Sequence, residues 1–179
     1  MMARAHIQPE AKFNVLLTED REHAIEHWTN QLPRLLKPQG VTAYVARTGQ
    51  EAYQMIGQYR FHAAVIDLST PAGNINLLRQ ARQCIRLSSQ TPGGLWLLEL
   101  FSRLPDRPPV VVVNSHPYSR RQAQRFLNLA LRLGAFSVIN RPVQLEALLE
   151  VIRRLIDKQY QGQWPGDNKM KFNNDLNQN

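Results

Sequence analysis

One cysteine, Cys84, is all the sequence contains, so no disulfide can form within the chain and no second thiol stands at metal-ligand spacing. Disulfide scaffolds and cysteine-based zinc sites are excluded together. No apolar run approaches the roughly 20 residues a membrane helix needs, and the opening residues MMARAHIQPEAKF lack the apolar stretch of a signal peptide. A soluble, cytoplasmic protein with no membrane partner is the expectation. Histidines are few and scattered, at His6, His23, His27, His62 and His116. Only His23 and His27 share a helical face, and the residues between them read Ala-Ile-Glu, which puts the acid out of the register of a zinc protease. Aromatic residues make up 8% of the chain and do not interleave with basic ones, so no base-stacking platform is drawn. Acidic residues are scarce as well, 14 against 22 lysines and arginines, for a net charge of +8.

What remains is an ordinary globular composition, 43% hydrophobic and 20% charged over 179 residues, enough for one domain built on one core. The positive excess is concentrated. Between Leu68 and Leu145 ten arginines stand against two acids, Glu99 and Asp106, while the rest of the chain is balanced. Neither terminus is therefore a basic nucleic-acid arm. Arginine supplies every positive charge in that stretch, which favours planar pairing with carboxylate or phosphate, although a solvated basic surface accounts for the same residues.

Short branched apolar runs alternate with helical periodicity. Phe13–Thr18, Val41–Ala46, Phe61–Ile66, Pro109–Val113 and Phe136–Ile139 read as strands, and Asp20–Leu36, Gln50–Tyr59, Gly94–Leu104, Ser119–Leu133 and Val143–Lys158 as helices. Continuous apolar strands such as Val110-Val111-Val112-Val113 belong in a sheet buried on both faces. The expected fold is α/β, a doubly wound five-stranded parallel sheet with helices on both faces. Pro33 predicts a kink or a restart in the first helix. Ala72–Pro92 is too long for a βα loop and carries a 3.6-residue stripe through Leu77, Leu78, Ala81, Cys84 and Ile85, so an extra inserted helix is expected there. The expected domain runs from 13 to 158, after an arm at 1–12 and before a polar, disordered tail at 159–179.

Chemistry in such a sheet gathers at the carboxyl ends of the strands. Glu19 and Asp20 follow the first strand and Asp67 ends the third. Three neighbouring carboxylates repel unless a cation lies between them, which suggests an oxygen-ligand Mg²⁺ site; a helix cap at Asp20 and a strand-ending Asp67 would account for the acids without one. The segments Val15-Leu16-Leu17-Thr18-Glu19-Asp20, Thr48-Gly49-Gln50-Glu51-Ala52, Ile66-Asp67-Leu68-Ser69-Thr70-Pro71, Pro109-Val110-Val111-Val112-Val113 and Asn140-Arg141-Pro142, in that order, resemble the receiver domain of bacterial two-component response regulators.

The resemblance implies phosphorylation of Asp67 by a histidine kinase or phosphotransfer protein. It makes Asp20, Glu19, Asp67 and the backbone carbonyl of Ser69 the Mg²⁺ ligands, with Asn114, Ser115 and Arg141 touching the phosphoryl group. Three positions depart from the family pattern: Asn114 stands for a threonine or serine, Arg141 for a lysine whose compact contact a planar fork cannot reproduce, and Val138 for the aromatic switch residue. The implied function is a single-domain response regulator, not an enzyme, signalling through a basic face on Arg120, Arg121, Arg125 and Arg132. An acidic protein suits that face better than nucleic acid, since no DNA-reading motif is visible. Two other readings stay open: a phosphorylation-independent pseudo-receiver acting as a binding or scaffold module, and a Mg²⁺-dependent phosphohydrolase, which would want a second acid where Ser69 stands.

Overall fold

The sheet in the computed structural model begins where the apolar runs begin, and the structure describes residues 13–19, 28–74, 93–114 and 120–161. In chain order come β1 (Phe13–Thr18), α1 (Trp28–Leu36), a 3₁₀ turn (Lys37–Gln39), β2 (Val41–Ala46), α2 (Gly49–Gln58) and β3 (Ala63–Asp67). Then follow α3 (Gly93–Ser102), β4 (Val110–Asn114), α4 (Arg120–Arg132), β5 (Ser137–Asn140) and α5 (Leu145–Tyr160). All four strand pairings are parallel, in the order β2-β1-β3-β4-β5. Residues 75–92 of the inserted segment expected at 72–92, the arm at 1–12, Asp20, Ser115 and the tail beyond residue 161 lie outside the described residues.

Strand periodicity divides the core in two. Leu16, Ala64, Ile66, Val110 and Val112 pack with Ala52 of α2, Trp96, Leu97 and Phe101 of α3 and Ala130 of α4. Alternate residues Val15, Leu17, Val65, Val111 and Val113 pack with Trp28 and Leu32 of α1 and with Leu148, Ile152 and Leu155 of α5. The central strands are thus apolar on both faces, as a parallel sheet covered by helices requires.

Differences from the sequence reading have local causes. β4 starts at Val110 because Pro109 has no N–H to pair; its carbonyl instead accepts Ala64 N–H at 3.0 Å. α1 runs through Pro33 to Leu36 as one helix, so of the kink or restart expected there the restart does not occur. The proline falls one turn from the helix end, where only one helical N–H is lost. α5 extends to Tyr160, two residues past the expected domain end, because its last turn is anchored: the Tyr160 hydroxyl donates to the His62 carbonyl at 2.6 Å and its ring meets Phe13 edge-on at 5.2 Å. Among the described residues, no helix is long and apolar enough to cross a membrane.

Candidate functional site

The strand order reverses between β1 and β3, and such a switch point leaves a crevice outside the carboxyl ends of the strands. Glu19 follows β1 there and Asp67 closes β3. Asp67 is fully buried. One carboxylate oxygen, Oδ1, accepts the Ser69 N–H at 2.9 Å, and the other, Oδ2, is ion-paired with Nη2 of Arg141, whose side chain is itself only 9% exposed. A buried carboxylate is stable as an anion only with such partners. Arg141 arrives from the residue after β5, two strands away, and its backbone N–H donates to the Asn114 carbonyl at 3.1 Å. The planar fork therefore reaches the acid itself.

The backbone of Asp67 is held by a closed ring of hydrogen bonds. Asp67 N–H donates to Thr18 Oγ1 at 3.0 Å, and Thr70 Oγ1 donates to the Asp67 carbonyl at 2.7 Å. The two hydroxyls lie 2.8 Å apart, and since Thr70 has already given its only proton, Thr18 is the donor between them. Both threonines are fully buried. Sequence reasoning did not single them out; the available signal was a hydroxyl residue closing an apolar strand and another placed before Pro71.

Two glycines bring α3 against this ring. A Cβ on Gly94 would lie 2.0 Å from the Asp67 carbonyl oxygen, and one on Gly93 would lie 2.6 Å from that of Pro71. Gly94 N–H donates to the Thr70 carbonyl at 3.1 Å. On the other side, the first amides of α2 reach the same loop, Gly49 N–H to Pro71 O at 2.8 Å and Gln50 N–H to Ala72 O at 3.0 Å. Thr48 caps that helix by accepting the Glu51 N–H at 3.0 Å.

The other expected residues are placed less centrally. Glu19 accepts from the Thr29 hydroxyl at 2.6 Å and pairs with Arg47 at 3.4 Å. Asn114 donates to the Asn140 side chain at 3.1 Å. Val138 lies in β5, partly buried against the α2–α4 side of the core. Among the described residues no three histidine, cysteine or acidic side chains gather into a metal cluster, and Asp20, the expected direct ligand, is not one of them. The donors that are described, the carboxylates of Glu19 and Asp67, are hard oxygen ligands suited to Mg²⁺. Arg121, Arg125 and Arg132 stand exposed along α4.

Compared by sequence, the chain matches no family model and no curated protein. Compared by structure, it is similar to a response regulator receiver domain protein from Methanospirillum hungatei, with TM-score 0.60 and 21% identity over 86% of this chain and 100% of that one. The signal receiver domain of a histidine kinase from Syntrophus aciditrophicus aligns with TM-score 0.55 and 20% identity, over 82% and 92% of the two chains. A response regulator from Burkholderia pseudomallei, solved with a phosphorylated aspartic acid, a calcium ion and citrate, gives TM-score 0.53 and 20% identity over 84% and 72%. At these identities the shared property is the fold.

Proposed function

The chain has the fold of response regulator receiver domains, and from that premise we propose that it is a response regulator of a two-component phosphorelay, phosphorylated on Asp67. The observation that carries this reading is the position of Asp67: at the end of β3, at the switch point, on a backbone fixed by Thr18, Thr70 and Gly94. A carboxylate oxygen attacks the phosphorus of a phosphohistidine on a kinase or phosphotransfer protein. The phosphorus–nitrogen bond breaks, its electron pair stays on the imidazole, and an aspartyl phosphate results. The phosphorylated aspartic acid and calcium ion of the Burkholderia protein support this chemistry for the fold.

Glu19, Asp20, Asp67 and the Ser69 carbonyl would hold Mg²⁺, which supplies charge neutralisation for the transferring group. The protein's own contribution is positional. Ser69 N–H orients one oxygen of Asp67, and Arg141 offsets the carboxylate charge before transfer and, as a cation beside it, attracts the phosphoryl oxygens afterwards. Asn114 and Ser115 complete the phosphoryl contacts. Output is by protein contact in the cytoplasm, through the face carrying Arg120, Arg121, Arg125 and Arg132, toward an acidic partner rather than nucleic acid.

A second reading has its own support. Asp67 is already paired and fully buried, a state compatible with a phosphorylation-independent binding module. Intact-mass measurement after incubation with acetyl phosphate and Mg²⁺ separates the two. Gain of one labile phosphoryl group by the native chain and none by Asp67→Asn is the expected result. No gain under conditions that load a control receiver would overturn the phosphorelay reading in favour of the binding module.

A further inference from the structure

β2 is an outer edge of the sheet, since β1 is its one partner strand. Successive peptide groups of a strand point to opposite edges, so the bonds β2 already makes show which groups are left over. The Ala46 carbonyl accepts the Glu19 N–H at 3.2 Å, and the pairing runs without a bulge from Phe13 opposite Val41 to Thr18 opposite Ala46. Thr42, Tyr44 and Ala46 therefore turn their N–H and C=O groups to β1, whereas Val41, Ala43, Val45 and Arg47 turn theirs outward. Both ends of the outward series are closed: Arg47 N–H donates to Glu51 Oε2 at 2.8 Å, and Val41 is only 2% exposed. Between them Ala43 and Val45 are half-buried, and no described residue hydrogen-bonds to their outward groups.

Edge strands are ordinarily blunted by a lysine, a proline, a bulge or brevity. β5, at the other edge, is four residues long, but β2 reads Val-Thr-Ala-Tyr-Val-Ala, with neither charge nor proline. The two sides of its edge differ in chemistry. On the α1 side, Ala43 and Val45 line an open groove together with Thr29, Asn30, Gln31 and Arg34. Arg34 is exposed and forms no ion pair with an acid among the described residues. On the α2 side, Tyr44 stands 4.5 Å from Tyr59 between ring centres, and Tyr59 is 42% exposed.

We propose that this edge takes an extended segment of a partner protein as an added strand, one that alternates acidic with apolar side chains. The outward N–H and C=O groups of Ala43 and Val45 supply the main-chain hydrogen bonds, and the pleat sends alternate side chains of the added strand to opposite faces. Acidic side chains enter the groove beside Arg34, and apolar ones lie against Tyr44 and Tyr59. A second copy of this chain fits less well, because pairing β2 with β2 sets two Arg34 side chains over one groove that no acid lines. The proposal uses no atom of Asp67 and is read without phosphorylation, so its failure and the failure of the phosphorelay reading are distinguishable.

The probe is a short end-blocked peptide alternating valine with glutamate, compared with its valine–lysine counterpart, each titrated into the full-length protein and followed by backbone amide NMR signals. The expected result is saturable binding of the glutamate peptide, at least about threefold tighter than the lysine peptide, with shifts centred on Ala43 and Val45. Arg34→Gln should shrink that preference. Ala43→Pro removes an outward donor without touching the ladder to β1 and should abolish binding, its thermal midpoint reporting whether it folds. N-methylation of the peptide's amides on the edge that faces β2 tests the same bonds with the protein unaltered. Equal binding of the two peptides overturns the proposal, as does a preference undiminished by Arg34→Gln. Binding that survives N-methylation of the glutamate amides and of the valine amides alike overturns it too. Self-association of the free chain that Ala43→Pro removes would assign the edge to a second copy and overturn it as well.

Discussion

Thr18 gives its hydroxyl proton to Thr70 across 2.8 Å, and that one bond joins the end of β1 to the loop after β3 beneath the fully buried Asp67. The direction follows from proton count alone, since Thr70 donates to the Asp67 carbonyl and Thr18 accepts from the Asp67 N–H.

Thr18→Val keeps the volume and removes the hydroxyl, leaving a buried N–H and a buried hydroxyl each short of a partner. The expected loss is about 1–3 kcal/mol of folding stability, measured by urea denaturation. Thr18→Ser, which can remake the ring, should recover part of it. Equal losses for both variants would mean that packing rather than hydrogen bonding holds this corner.

Arg141→Met strips the counter-charge from Asp67. Removal of one member of a buried pair is expected to cost about 3–5 kcal/mol near neutral pH. Pairing it with Asp67→Asn should cost clearly less than the sum of the two single changes, because the uncompensated charge is gone as well. Strict additivity in this double-mutant cycle would show that the two side chains do not interact in solution.

Gly94→Ala and Gly57→Ala should move stability in opposite directions. The first puts a methyl 2.0 Å from the Asp67 carbonyl oxygen, a contact neither backbone can relieve; a loss above about 1–3 kcal/mol is expected. The second lies in α2 with nothing within 4 Å and should gain about 0.5–1 kcal/mol from helix propensity. Thermal midpoints of the two variants against the native chain provide the check.

His62 ties the start of β1 to the end of α5: its Nδ1 accepts the Asn14 N–H at 3.0 Å, its ring stacks on Phe13 at 5.0 Å, and its carbonyl takes the Tyr160 hydroxyl. Burial, followed by the nearby Arg60 charge, pushes its pKa below the ordinary 6.5. Below 6.5 the unfolded chain therefore binds more protons than the folded one. The contribution of His62 is fully present above that pH and is lost as pH falls through the lowered native value. Denaturation midpoints between pH 5 and 8 should decline on the acid side, and His62→Gln should flatten that decline. A slope unchanged by the substitution would place the acid sensitivity elsewhere.

How much of this was legible beforehand depended on the range of the interaction. β1 and β2 were found to the residue because their apolar runs end where pairing ends. The doubly wound sheet followed from runs buried on both faces, a signal confined to a few neighbouring residues. The ring under Asp67 joins positions 49 and 52 residues apart and leaves no periodic trace. Arg141 was named as a site residue, yet its contact with Asp67 depended on β5 lying two strands from β3, a distance a long side chain spans. Tyr160 was assigned to a polar tail because its partners, Phe13 and His62, are remote in sequence.

The loop after β3 has one more consequence, for how an anion would perceive this end of the molecule. Helix starts ordinarily draw phosphate through their uncommitted amides. Here Gly94 N–H of α3 and Gly49 and Gln50 N–H of α2 are committed to three consecutive carbonyls, those of Thr70, Pro71 and Ala72. With those amides engaged, an anion arriving beside Asp67 meets the Arg141 guanidinium, which is already paired with that acid, so newcomer and acid compete for one cation.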